Sequence, residues 1–151
     1  AKARSLDRPP EKDGGKLKIL RRFPMAHIIN KQISDRVLGA AFTVHNSLGP
    51  GLVESAYELA LCVEFKHLGI PFKQQYVYPL HYRGQIIGGY IADLVVDNAL
   101  ILELKSVKEL KPVMEAQLLN YLRLSKIPVG YLMNFRNPHL AWKRFVVTRR
   151  E

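Results

Sequence analysis

From residue 34 onward, apolar residues recur three and four apart: Val37, Leu38, Ala41, Phe42, Val44 and Leu48 fall on one helical stripe. Ser34 stands where a capping hydroxyl is wanted and Gly49-Pro50-Gly51 closes the segment, so the spacing predicts a helix over 34–48. A second helix is expected over 52–68, with Ala56, Leu59, Ala60, Val63 and Phe65 as its apolar positions and Gly69 as its C-terminal cap. After Pro71 the period shortens to two. Tyr76, Tyr78, Leu80 and Tyr82 alternate along a strand over 72–82, and Arg83-Gly84 turns the chain into a second strand over 85–96. Gly88-Gly89 inside that strand suggests a bulge or a close backbone approach. Asp97-Asn98 makes a further turn before a third strand over 99–107. Pro112 then opens a helix to about residue 125, carrying Val113, Ala116, Leu119, Leu122 and Leu124. Strands over 129–135 and 140–147 complete the order ααβββαββ, an α/β (α+β) domain with helices covering a mixed central sheet.

Composition adds a partner class. The chain has 151 residues, room for one ordinary domain, and 48% of them are hydrophobic, enough for a buried core. Its net charge is +10, which favours polyanionic partners. The charge is unevenly spread: residues 1–31 hold nine Lys/Arg and three acids, a net +6, whereas 32–151 carry only +4. With Pro9-Pro10 and Gly14-Gly15 breaking regular structure, 1–31 read as a flexible basic arm and 32–151 as the folded domain. The single cysteine, Cys62, excludes a disulfide framework or a cysteine zinc site and is most simply a small core residue. No apolar run approaches a membrane span, and the first residues lack the apolar core of a secretory signal, so a cytoplasmic protein with no membrane partner is expected. The missing initiator Met points to residues upstream of the sequence given.

The candidate chemistry lies where charges interrupt apolar strands. Asp93 shares a face with Ile91 and Val95, and the period of two puts Glu103 and Lys105 on one face of the next strand. Carboxylates among β-branched neighbours are costly unless compensated, and a divalent cation would compensate them. Two carboxylates with carbonyls and water form an all-oxygen site, suited to Mg²⁺ or Mn²⁺ rather than zinc. A plainer reading has Glu103 and Lys105 facing solvent as an ion pair. Gln117 and Tyr121, four apart on the third helix, share a face and by themselves read as surface residues. No Walker-type loop, nucleophile elbow or zinc-binding histidine spacing occurs.

Asp93…Glu103-Leu104-Lys105 followed by Gln117-x-x-x-Tyr121 resembles the PD-(D/E)xK phosphodiesterase superfamily, in its RecB-type, lambda-exonuclease-like arrangement. More narrowly, Gly51-Leu52-Val53-Glu54-Ser55-Ala56-Tyr57 resembles the motif of the GxxExxY proteins, as do Gly39-Ala40-Ala41-Phe42, residues 44–51 and residues 115–122. The likeness runs from about residue 33 to 147. It implies a metal-dependent nuclease in which Asp93, Glu103 and the backbone carbonyl of Leu104 hold Mg²⁺ or Mn²⁺ and Lys105 orients or activates the attacking water. Glu54 would be a further ligand or water-positioning group, and Gln117 and Tyr121 would position phosphate or lysine. The motif's proline is Ala92 here, a position that does not touch the chemistry. Nucleic acid is the implied partner, DNA ahead of RNA, and a homodimer would suit cleavage of both strands.

Competing readings remain at this level. Glu54 in a first helical turn would also complement the helix dipole without catalysis, and Tyr57 is more naturally a packing residue. His45 near the end of the first helix has the same stabilising explanation. A non-catalytic nucleic-acid-binding or protein-interaction adaptor that keeps the nuclease fold is the alternative function, and a dimerising structural domain is a third.

Overall fold

In the computed structural model, which describes residues 30–148, the strong breakers set the element boundaries. Arg83, Gly84, Asp97 and Asn98 all adopt positive φ, at 48°, 79°, 52° and 48°, turning the chain between strands. The elements are α1 (Lys31–Leu48), α2 (Glu54–Leu68), β1 (Phe72–Tyr82), β2 (Gln85–Val96), β3 (Leu100–Lys105), α3 (Pro112–Ser125), β4 (Val129–Asn134) and β5 (Ala141–Val146). This is the expected ααβββαββ order. The basic arm assigned to 1–31 lies outside the described residues except for Asn30 and Lys31, and Lys31 already pairs with Asp35 at 3.1 Å across one helical turn.

The five strands form one mixed sheet in the order β1-β2-β3-β4-β5. Neighbours are antiparallel except β3 and β4, which run parallel because α3 crosses between them. The helices α1 and α2 cover one face, burying Val37, Leu38, Tyr57, Leu61 and Phe65 against Leu94, Leu102, Leu104, Tyr131 and Met133. On the other face α3 buries Leu118, Tyr121 and Leu122 against Val95, Ile101, Leu132 and Phe145. With both faces covered, β3 and β4 are buried nearly throughout and show no inside–outside alternation. Gly130 admits α3 closely: a Cβ there would meet Leu118 Cδ1 at 2.8 Å. No helix among the described residues is long and apolar enough to cross a membrane.

Three local expectations are corrected. Ser34 does not cap α1; the helix starts a turn earlier behind Asn30, and Ser34 is buried inside it with its amide donating to the Asn30 carbonyl at 3.0 Å. On α2 the inward face is Tyr57, Glu58, Leu61, Cys62 and Phe65, while Leu59 and Val63 are exposed at 57% and 68%. Apolar residues occur all around this helix, so spacing alone leaves its phase open; the contact with α1 and the polar anchor at Glu58 choose it. On α3, Val113 and Ala116 are likewise exposed, and Leu118 and Tyr121 take their place in the core. The glycine pair behaves as expected. The β1–β2 register slips between Leu80 and His81, leaving Ile87 as the extra residue beside Gly88, and a Cβ on Gly89 would lie 3.2 Å from the Tyr78 carbonyl oxygen.

Candidate active site

The β2–β3 ladder pairs Leu94 with Leu102 and stops there. One step further, Asp93 faces Glu103, and side chains take over from the backbone. The Asp93 amide donates to Glu103 Oε1 at 3.1 Å, and the Leu104 amide donates to Asp93 Oδ2 at 2.8 Å. Each carboxylate thus spends one oxygen on the opposite strand's N–H. The two strands part at this point with no buried donor abandoned, and two acids are fixed side by side.

That proximity has an electrostatic cost. Glu103 is only 4% exposed. Burial, and after it the neighbouring Asp93 charge, push its carboxyl up to about 9, against the opposing pull of the Asp93 amide and Lys105. Glu54 at the first position of α2 is raised as well, first by burial and then by Asp93, with Lys105 pulling it down. On the α3 side, burial followed by Glu103 and Asp93 pushes the Tyr121 phenol up to about 12, while a hydrogen bond with Gln117 opposes the shift. Glu54, Asp93, Glu103, Lys105 and Tyr121 therefore share one field, and Gln117 joins it through Tyr121. Asp93 and Glu103 are joined by hydrogen bonds, Gln117 and Tyr121 by another, and Glu54 and Lys105 lie within electrostatic reach of the acidic pair.

The glycine–glutamate–tyrosine spacing has a mechanical explanation. Tyr57 is fully buried and stacks on Phe135 with ring centroids 4.6 Å apart. Its hydroxyl donates to the Gly49 carbonyl at 2.6 Å and accepts the Leu52 amide at 3.0 Å. Ser106 Oγ, one residue past Lys105, donates to the Leu52 carbonyl at 2.7 Å. The loop ahead of α2 is thereby tied to the end of β3, which places Glu54 near Lys105. Tyr57 acts by packing and anchoring, as expected. Beyond β3, the buried Asn134 accepts the Val107 amide and donates to the Val107 carbonyl, bracing the chain after Lys105. His45 is buried too, with Nε2 at 3.1 Å and 2.9 Å from the Phe135 and Asn137 carbonyls, a structural role.

Three residues escaped the sequence reading. Glu58, one turn after Glu54, is buried and accepts from the side-chain amides of Gln74 and Gln75, both at 2.7 Å. Gln75 has φ +50° and stands opposite Asp93, between the pairs Gln74–Leu94 and Tyr76–Ala92, and its amide also reaches Asp93 Oδ1 at 3.3 Å. A signal for Glu58 existed in its four-residue spacing from Glu54; the kink at Gln75 has none. Arg136 joins Gly51–Glu54 and Ser106 around a cavity of about 450 Å³, where a cation beside Glu54 suits an anionic ligand.

The donor set fits a hard divalent cation. Glu103 keeps its second oxygen, Asp93 Oδ1 takes only the long 3.3 Å bond from Gln75, all donors are oxygen, and a buried pair that resists double ionisation is what a cation relieves. Among the described residues no three His, Cys, Asp or Glu side chains converge into a cage, and Mg²⁺ is usually bound by one or two carboxylates.

Comparison with curated proteins found no match. The solved crystal structure of SSO0001 aligns with 95% of this chain at 15% identity and a TM-score of 0.44, and the chain spans 65% of that protein. A sequence model of the PD-(D/E)XK nuclease superfamily matches residues 31–145, which includes every residue of the constellation above. The protein belongs to the PD-(D/E)XK nuclease superfamily.

Proposed function

We propose that this domain hydrolyses phosphodiester bonds of nucleic acid, DNA ahead of RNA, using Mg²⁺ or Mn²⁺. The observation that carries the reading is the facing pair Asp93 and Glu103, each anchored on the other's strand beside Lys105. Asp93, Glu103 and the Leu104 carbonyl would hold the cation, with Glu54 as a further ligand or water-positioning group. When bound, the cation polarises the phosphoryl oxygen and lowers the pKa of water. Lys105 orients the attacking water and offsets charge gathering on the phosphorane. Gln117, bonded to Tyr121, holds the phosphate or the lysine in place. The Gly51–Tyr57 segment supports the narrower GxxExxY and RecB-type assignment, with a cytoplasmic location and a homodimer as its corollaries.

The test is metal-dependent cleavage of single- and double-stranded DNA and RNA by wild type and Glu103→Ala. Cleavage with Mg²⁺ or Mn²⁺ that falls at least about 100-fold in the variant supports the reading. Wild-type protein that binds nucleic acid equally with and without metal and cleaves none of the four would move the assignment to a non-catalytic adaptor.

A further inference from the structure

Beyond Leu94 the β2 strand has no β3 partner, yet β1 and β2 remain paired out to Tyr82 and Gln85. The hairpin therefore leaves the sheet as a two-stranded ribbon roughly 25 Å long. Its α3-side face carries a row of tyrosines. Tyr76 and Tyr78 are two apart on β1 with ring centroids 5.0 Å apart, edge to face. Tyr78 faces Tyr90 across the ribbon, and Tyr90 meets Tyr121 at 5.3 Å, again edge to face. Tyr121 feels the charges of Glu103 and Asp93. The rings sit at the base of the ribbon beside the acidic pair: Tyr76 is opposite Ala92, one residue from Asp93, and Tyr78 and Tyr90 lie one step further out, where Tyr121 of α3 packs on Tyr90. Tyr121 is 4% exposed, Tyr78 and Tyr90 are half-buried, and Tyr76, nearest Asp93 along the ribbon, is 39% exposed.

Charge along the ribbon has one sign. Residues 72–92 contain Lys73 and Arg83 and no Asp or Glu. Lys73 Nζ lies 4.6 Å from the centre of the Tyr76 ring, which sets a cation beside the most open of the four rings. Stacking rings with a lysine beside them, free of acids on the ribbon and next to a phosphodiester site, suit unpaired bases on a phosphate backbone.

We propose that the Tyr76–Tyr78–Tyr90 track is a stacking platform for single-stranded nucleic acid, guiding an unpaired strand toward Asp93 and Glu103. This rests on the nuclease reading for its destination, while the binding it describes stands without catalysis. A duplex has its bases stacked on each other and offers the rings nothing comparable, so the track selects single strands or frayed ends.

The experiment is fluorescence anisotropy of the full chain in EDTA, with a 20-mer oligodeoxynucleotide and the 20-base-pair duplex of the same sequence as probes. Tyr76→Ala and Tyr78→Ala should each weaken single-strand binding about fivefold or more, with duplex binding within twofold of wild type. Tyr76→Phe should restore affinity, because the ring rather than the hydroxyl is used. Tyr76 is exposed enough for its alanine variant to keep the fold, so that variant decides alone if Tyr78→Ala melts. Unchanged single-strand affinity in Tyr76→Ala, equal losses on single strand and duplex, or no single-strand binding by wild type would each overturn the proposal. A change of oligomeric state with unchanged oligonucleotide binding would assign the ribbon to a second copy of the chain and also overturn it. Because EDTA removes catalysis, a wild type that never cleaves refutes the nuclease reading and leaves this result standing.

Discussion

Asp93 and Glu103 each accept, directly or one residue on, an amide from the other's strand: Asp93 N to Glu103 Oε1 at 3.1 Å, and Leu104 N to Asp93 Oδ2 at 2.8 Å. The pair is at once the end of a β-ladder and the centre of an acidic site, so its energetics bear on stability as well as on chemistry.

Glu103 binds its proton more tightly folded than unfolded, with a carboxyl moved from 4.5 to about 9 by burial and Asp93. Between those values the native state holds more protons than the unfolded state, so this group makes stability fall as pH rises from about 5 to 9. Thermal melts in EDTA across that range should show the decline. Glu103→Gln should flatten it and be the more stable protein at pH 8–9. An equal slope in both proteins would remove Glu103 as its source.

Divalent metal should reverse the penalty. Mg²⁺ or Mn²⁺ at about 100 times its Kd should raise stability by about 2.7 kcal/mol, seen as a Tm increase of several degrees that EDTA abolishes. Since a carboxylate must shed its proton to bind, affinity measured by calorimetry should strengthen with pH up to about 9. Asp93→Ala and Glu103→Gln should each lose the metal-induced shift.

Tyr57→Phe keeps the ring stacked on Phe135 and deletes only the hydroxyl between Gly49 and Leu52. A stability loss of about 1 kcal/mol by urea unfolding is expected. Cleavage should fall by more than that implies, about tenfold or greater, because the loop that aims Glu54 loses its anchor. Full activity would mean that the loop is held by Ser106 alone.

Gly130→Ala inserts a methyl 2.8 Å from Leu118 Cδ1 and 3.1 Å from Leu122 Cδ2. The clash is with flexible side-chain ends, so folding should survive at a cost of about 1–3 kcal/mol. As α3 is displaced, Tyr121 moves with it, and kcat should drop while circular dichroism stays native. A neutral Tm would show that both leucines can rotate away.

The strands and α3 were legible in the sequence because chemistry punctuates them. Arg83-Gly84 and Asp97-Asn98 adopt the positive φ that turns demand, and Pro112 starts α3 where a missing N–H is harmless. The site was legible because an Asp, a Glu and a Lys on apolar strands stand out against their neighbours. The phase of α2 was not: its apolar residues surround the helix, and only tertiary packing turns Leu59 and Val63 outward. Nor was the Glu58–Gln75–Asp93 relay, which needs a positive φ at Gln75 in the middle of β1.

The ribbon formed by β1 and β2 has a last consequence for self-association. Over residues 85–92 it exposes backbone on the edge that β3 leaves empty, and β1 is itself an outer strand, so both sides are templates for strand recruitment and aggregation. Its irregularities work against that: Pro79 removes a donor from β1, Gln75 bends the same strand with its positive φ, and the extra residue at Ile87 twists β2. The features that look like flaws in the hairpin keep a long free-standing pair of strands from adding further copies of itself.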